Sequence, residues 1–123
     1  MNDSRPKNLN LFTISFPIPA IVSICHRLTG FVLFLLIPVM LLVLNLSLTE
    51  HGFEWLHYAL RSFYAKFVFW LLLIPFCFHF VAGIRHLLMD IFVGSSLKGG
   101  RLTAQLTFII TFILVVLAGV WLW

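Results

Sequence analysis

The sequence predicts an all-α integral membrane protein whose three transmembrane helices run up, down and up as a bundle. Composition is the first reason. Of 123 residues, 62% are hydrophobic and only 10% charged, whereas soluble domains run near half apolar with about a quarter of residues charged. A water-soluble globule is excluded on that balance. The second reason is the placement of the charges. Residues 30–48, 67–84 and 106–123 contain no charged side chain. Crossing the hydrocarbon takes roughly 20 apolar residues in a helix, and each stretch spans about 27 Å at ~1.5 Å per residue. Lipid offers no partner to backbone N–H and C=O groups, so a crossing segment must be a helix or a barrel strand. These stretches are too long and too evenly apolar for strands.

In order along the chain, residues 1–18 form a polar arm at the inner face and residues 19–48 the first helix. An outer interfacial loop occupies 49–65, the second helix 66–90, an inner loop 91–103 and the third helix 104–123. Pro19 suits a first helical turn, where its missing N–H costs nothing. Pro38 and Pro75 fall inside helices and should kink them, as membrane helices tolerate. In the outer loop, Phe53, Leu56, His57 and Leu60 follow i, i+3, i+4, i+7 spacing, which predicts a short helix lying in the interface. His51 and His57 belong to this region and read as solvated. The polar first 16 residues argue against a cleaved signal peptide. Cys25 and Cys77 read as small apolar packing residues, neither a disulfide nor a zinc site.

Basic residues mark the inner side of a membrane protein. Arg5, Lys7 and Arg27 precede or open the first span, and Arg85, Lys98 and Arg101 flank the inner loop. Arg61 and Lys66 are the basic residues of the outer loop. The N-terminus is therefore expected in the cytoplasm, or in the matrix of a mitochondrion. Trp55, Trp70, Trp121, Trp123, Tyr58 and Tyr64 all fall toward the other side, as a one-sided aromatic belt.

The inner half also carries the polar residues that need a reason. Ionisable groups at membrane depth are costly and usually face a partner or pocket. In Phe16-Pro-Ile-Pro-Ala-Ile-Val-Ser-Ile-Cys-His-Arg-Leu-Thr-Gly30, Ser23 and Arg27 are four apart and share a helix face. A hydroxyl beside a guanidinium in an apolar wall suits a quinone, with an apolar slot for its ring and donors for its carbonyl oxygens. The same pair serves equally as an anchor, Arg27 reaching lipid phosphates and Ser23 bonding back to its own helix. In Phe78-His-Phe-Val-Ala-Gly-Ile-Arg-His-Leu-Leu-Met-Asp90, His79 and His86 lie on one stripe, ~10.5 Å apart along the axis and too far to share an iron. A neutral His79 could be an axial haem ligand, with Gly83 letting a flat macrocycle approach the backbone. It could also form an ordinary interhelical hydrogen bond. An electron-transferring haem needs a second axial ligand. The first and third spans offer no histidine at matching depth, since His26 is expected nearer the inner surface, so that ligand is expected from another chain.

These residues resemble a known family. Arg5-Pro6, Asn8-Leu9, Phe16-Pro17 and Ser23-Ile24-Cys25-His26-Arg27 ending at Gly30, followed by His79, Gly83-Ile84-Arg85-His86 and Asp90, are similar to the cytochrome b subunit of succinate dehydrogenase. That subunit is one of two small membrane anchors of respiratory complex II. The resemblance covers nearly the whole chain. Asn10 departs from it, standing where bacterial members often carry an acidic residue.

The resemblance implies that His79 ligates haem b, the other axial ligand coming from a second small hydrophobic anchor subunit packed against this bundle. It implies that Ser23 and Arg27 line a ubiquinone site, and that His26 lies near the haem propionates. Arg27, Gly83 and His86 are further candidates for that pocket. A flavoprotein would oxidise succinate and an iron–sulfur subunit would relay its electrons, so this chain would be an anchor and electron-transfer subunit, no enzyme on its own. Partners are then these subunits and membrane lipid, not nucleic acid, in a bacterial inner membrane or a mitochondrial one. A fumarate reductase anchor is the alternative within that chemistry. A haem-free transporter or assembly protein is the alternative outside it, although no span contains Asp or Glu.

Overall fold

The protein's computed structural model describes residues 16–92 and 96–123. The arm motifs at Arg5-Pro6, Lys7, Asn8-Leu9 and Asn10 lie outside the described residues. Among those described, the chain forms four α-helices and no strand. They are α1 (Ile18–Ser47), α2 (Glu50–Ala59), α3 (Phe63–Asp90) and α4 (Leu97–Leu122). The helices α1, α3 and α4 are long and apolar enough to cross a membrane, which makes this a multi-pass membrane protein. The short α2 occupies the stretch where the loop pattern placed an interfacial helix. Pro19 lies in the first turn of α1 and Pro38 inside it. Pro75 lies inside α3. In both cases the helix continues past the proline.

Local chemistry sets the ends. The Thr49 hydroxyl accepts a hydrogen bond from the Gly52 N–H at 3.1 Å and caps α2, satisfying a backbone donor that the first helical turn leaves over. Ser96 does the same for α4 through Gly99 at 3.0 Å. Past the end of α3, Phe92 adopts φ 66°, the left-handed conformation in which a helix commonly stops.

Two boundaries differ from expectation for a tertiary reason. The second crossing helix begins at Phe63 and the last at Leu97, seven residues before the expected start. Gly99, Gly100 and three nearby polar side chains read as loop in sequence. They are helical here, and α3 contacts this turn directly. The Arg85 guanidinium donates to the Thr103 hydroxyl at 3.2 Å and to the Gly100 carbonyl at 3.4 Å. The inner connection shrinks accordingly to residues 91–96.

The helix α3 is central, packing against both α1 and α4. Its buried contacts gather in the inner half, where Val22, Phe78, Ala82 and Ala104 form the core with Cys25 against it. Small side chains let membrane helices approach closely when lipid supplies no hydrophobic drive between them. Outward-facing leucines, isoleucines and phenylalanines cover the rest, as expected where the surroundings are acyl chains. Both cysteines are free. At the outer end, the Trp70 indole donates to the Val115 carbonyl at 2.9 Å and packs over Gly119. Trp123 closes over Phe63 and Trp70 with ring centroids 5.8 and 6.4 Å apart. The aromatic belt thus also ties α3 to α4. On α2, His57 is not merely solvated, since it accepts a hydrogen bond from Arg61 at 3.3 Å.

Replacing Trp70 with Phe removes the indole donor and keeps the ring. Thermal unfolding in detergent is expected to show a loss of about 1 kcal/mol, the usual net worth of one hydrogen bond.

Candidate functional site

The site is built where α1 and α3 cross. His26, on α1, points at α3. Its ring lies parallel to that of His79, with centroids 4.1 Å apart and planes at 10°. His86 stands on the other side, its centroid 5.0 Å from His26. The ring of His26 therefore sits between two imidazoles seven residues apart on one stripe of α3.

One glycine makes room for this. A Cβ on Gly30 would lie 2.8 Å from the His79 ring, whereas one on Gly83 would lie 3.5 Å from His26 Nε2, an ordinary contact. Each glycine lies four residues after the histidine of its own helix. The first contact tolerates no side chain, because real Cβ atoms do not come that close. His26 Nε2 is the side-chain atom beside Gly83.

The hydrogen bonds settle which nitrogen of His79 carries its proton. His79 Nδ1 lies 3.1 Å from the His26 carbonyl oxygen. A carbonyl only accepts, so Nδ1 donates. The Thr29 hydroxyl lies 3.3 Å from the same nitrogen and directs its own proton at the Cys25 carbonyl, 2.8 Å away, leaving an oxygen lone pair toward Nδ1. A neutral imidazole protonated at Nδ1 carries its lone pair on Nε2, the tautomer of a metal ligand whose other nitrogen is held by a backbone carbonyl. His26 shows the complement. Its Nε2 is buried with no hydrogen-bond partner, and an orphaned buried polar atom calls for one.

The sequence put His26 nearer the inner surface and His79 slightly deeper, and the two rings stack across that small offset. Charges end a window without ending a helix. From the helix ends instead, His26 is eight residues above Ile18 and His79 eleven above Asp90, or about 12 and 16 Å at 1.5 Å per residue. The stacked rings of His26 and His79 lie face to face, so the two imidazoles do not aim their nitrogens at one shared point. Among the described residues no three His, Cys, Asp or Glu side chains converge to hold a metal ion by themselves.

The donor set fits a haem edge: one imidazole with its tautomer locked and Nε2 free, and beside it a buried ring nitrogen in need of a partner. Ser23 is half-buried and Arg27 exposed on α1. Neither is hydrogen-bonded to the imidazoles. Thr29 and Gly30 have roles that went unassigned in the sequence, although both stand in the first motif. Arg85 also received no role there, and it is 5% exposed. Its signal was present, since an arginine inside a helical apolar stretch must find acceptors.

The family described as succinate dehydrogenase/fumarate reductase transmembrane subunit matches residues 1–118. The chain belongs to that family. Among its relatives is a succinate dehydrogenase cytochrome b556 subunit of Coxiella burnetii, 44% identical over the whole of both chains. A cytochrome b560 subunit of Reclinomonas americana is 30% identical, covering 98% of this chain and 88% of the relative. A cytochrome b556 subunit of Rickettsia typhi is also 30% identical, with 96% and 93% covered. These names agree with the resemblance to cytochrome b membrane anchors drawn from the two motifs, and they set this family member within an oxidoreductase complex.

Gly30→Ala tests the geometry of the crossing. The added methyl must displace the His79 ring or part the helices, so a stability loss of about 1–3 kcal/mol is expected, the usual cost of overpacking. Thermal unfolding beside the unsubstituted chain measures it.

Proposed function

We propose that this chain is the haem b- and quinone-binding anchor of a succinate dehydrogenase, passing electrons from succinate oxidation to ubiquinone. The observation that carries the proposal is the His79 imidazole. Its Nδ1–H is held by the His26 carbonyl and the Thr29 hydroxyl, so that Nε2 is presented with its lone pair free. His79 would then hold the haem iron from this chain, and a second small anchor subunit would supply the other ligand. Bound there, haem b would supply one-electron transfer.

The surrounding residues hold and tune. Thr29 and the His26 carbonyl fix the ring angle of His79 and raise its basicity, as partners of metal-bound imidazoles do. His26 offers its unpartnered Nε2 to a propionate, with His86, Gly83 and Arg27 completing that pocket. Arg27 and Ser23 face the quinone. The guanidinium stabilises negative charge developing on a quinone oxygen, and the hydroxyl donates a hydrogen bond to orient it. The chain itself carries out no succinate chemistry. Electrons reach it from a flavoprotein through an iron–sulfur subunit docked at the inner face. The N-terminus lies on that face, in the cytoplasm if the membrane is a bacterial inner membrane.

The family's description also names fumarate reductase, which runs the same chemistry in reverse. A quinol-linked fumarate assay beside a succinate–quinone assay, with the native quinone, decides the direction.

Two substitutions test the assignment. His79→Ala is expected to abolish or shift the reduced-minus-oxidised haem b spectrum of the purified complex, and an unaltered spectrum would remove His79 as ligand. Arg27→Leu is expected to lower quinone reduction about ten- to a hundredfold, the loss of one charge-assisted contact. Succinate oxidation by a soluble artificial acceptor should survive in that variant. Equal loss of both activities would place Arg27 outside the quinone site.

A further inference from the structure

The interface between α3 and α4 carries a second feature that the imidazole cluster does not use. Arg85 is buried, with only 5% of its surface exposed, and its described partners are neutral, the Thr103 hydroxyl and the Gly100 carbonyl. Among the described residues no carboxylate pairs with it. A guanidinium has five N–H donors, of which these two contacts occupy two. A buried charge without a counter-charge is costly by several kcal/mol. Nor does the site of the histidines supply one, for Arg85 is six residues past His79, about 240° around α3, and faces α4.

Arg85 lines the inner end of a cavity of about 270 Å³, whose walls are otherwise almost wholly apolar. Phe80, Ile84 and Leu88 form one side of it, and Leu106, Ile110 and Leu114 the other. From Thr103 to Leu114 it runs about 16 Å along α4 at ~1.5 Å per residue. Phe80, Ile84, Leu106 and Ile110 are 57, 43, 42 and 43% exposed, so the groove opens sideways into the bilayer. A long apolar trough with one uncompensated cation at its inner end matches an amphiphile with an apolar tail and an anionic head.

We propose that the α3–α4 groove binds a glycerophospholipid of the inner leaflet, with an acyl chain lying along Ile84, Leu106 and Ile110 and its phosphate meeting Arg85. The phosphate supplies the missing counter-charge and accepts the unspent guanidinium donors, which suit phosphate oxygens in pairs. The acyl chain fills the trough between helices that touch through alanines at their core. The site is separate from the quinone and haem assignments, and its test does not read them.

The experiment uses the full-length chain with its accompanying subunits, extracted from its own membrane in mild detergent. Ile110→p-benzoylphenylalanine places a photoreactive group in the groove wall. Irradiation before extraction, followed by mass analysis, is expected to give a phospholipid adduct. Adducts confined to quinone or to a neighbouring protein chain would overturn the proposal. Native mass spectrometry of the unsubstituted complex is expected to show retained phospholipid that falls about tenfold in Arg85→Gln, the scale of one charge-assisted contact, and persists in Arg85→Lys. Retention unchanged in Arg85→Gln, or lost equally in Arg85→Lys, would overturn the phosphate contact. If Arg85→Gln does not fold, the photoreactive arm still decides, because it leaves Arg85 in place.

Discussion

An imidazole turned toward a neighbouring helix can close on its backbone only where that helix has no side chain. That constraint organises the inner half of this protein. His79 rests on Gly30, so that its ring stacks on that of His26 at 4.1 Å. The contact also brings the backbone of α1 within hydrogen-bonding range of His79 Nδ1, fixing the tautomer on which the proposed ligand role depends. Gly30 and the free Nε2 are parts of one arrangement. Either helix shifted by one residue would turn its histidine about 100° away.

The rest of the fold divides by depth. At the end opposite the histidines, the indoles of Trp70 and Trp123 and the phenyl ring of Phe63 pack α3 against the end of α4, and an indole combines an apolar ring with a polar edge. Toward the inner side, the same two helices are joined by Arg85 reaching the first turns of α4. A membrane interior makes such polar contacts expensive to leave half-made. His26 Nε2 lies there, one of two buried side-chain polar atoms among the described residues without a hydrogen-bond partner, the other being Thr111 Oγ1 on α4. The gathering of polar side chains toward one end of the bundle follows from one rule: lipid tolerates polar groups only where protein or ligand completes them.

The candidate site was partly legible in the one-dimensional pattern. Intramembrane histidines and an arginine stand out against a background of 10% charged residues, and the seven-residue spacing of His79 and His86 puts them on one stripe. Depth was less legible. A charge-free window measures where ionisable residues stop, whereas α1 and α3 continue through Arg27 and Arg85 for further turns. Thr29 was invisible for another reason. A threonine that bonds its own helix looks like any other until a second helix brings an imidazole to its free lone pair.

Composition and periodicity by themselves determined the number of long apolar helices, the helical state and the short helix after the first of them, because each rests on local quantities: apolar length, the obligation to pair the backbone, and a 3.6-residue repeat. Which residues meet depended on how the helices cross, and no local quantity contains that. The stacking of His26 on His79, the close approach of Gly30 to His79, and the helical start at Leu97 despite two glycines came from contacts between residues 15 to 53 positions apart. Such contacts form only when two helices, each already stable in lipid, find the one fit that satisfies both their small residues and their polar ones.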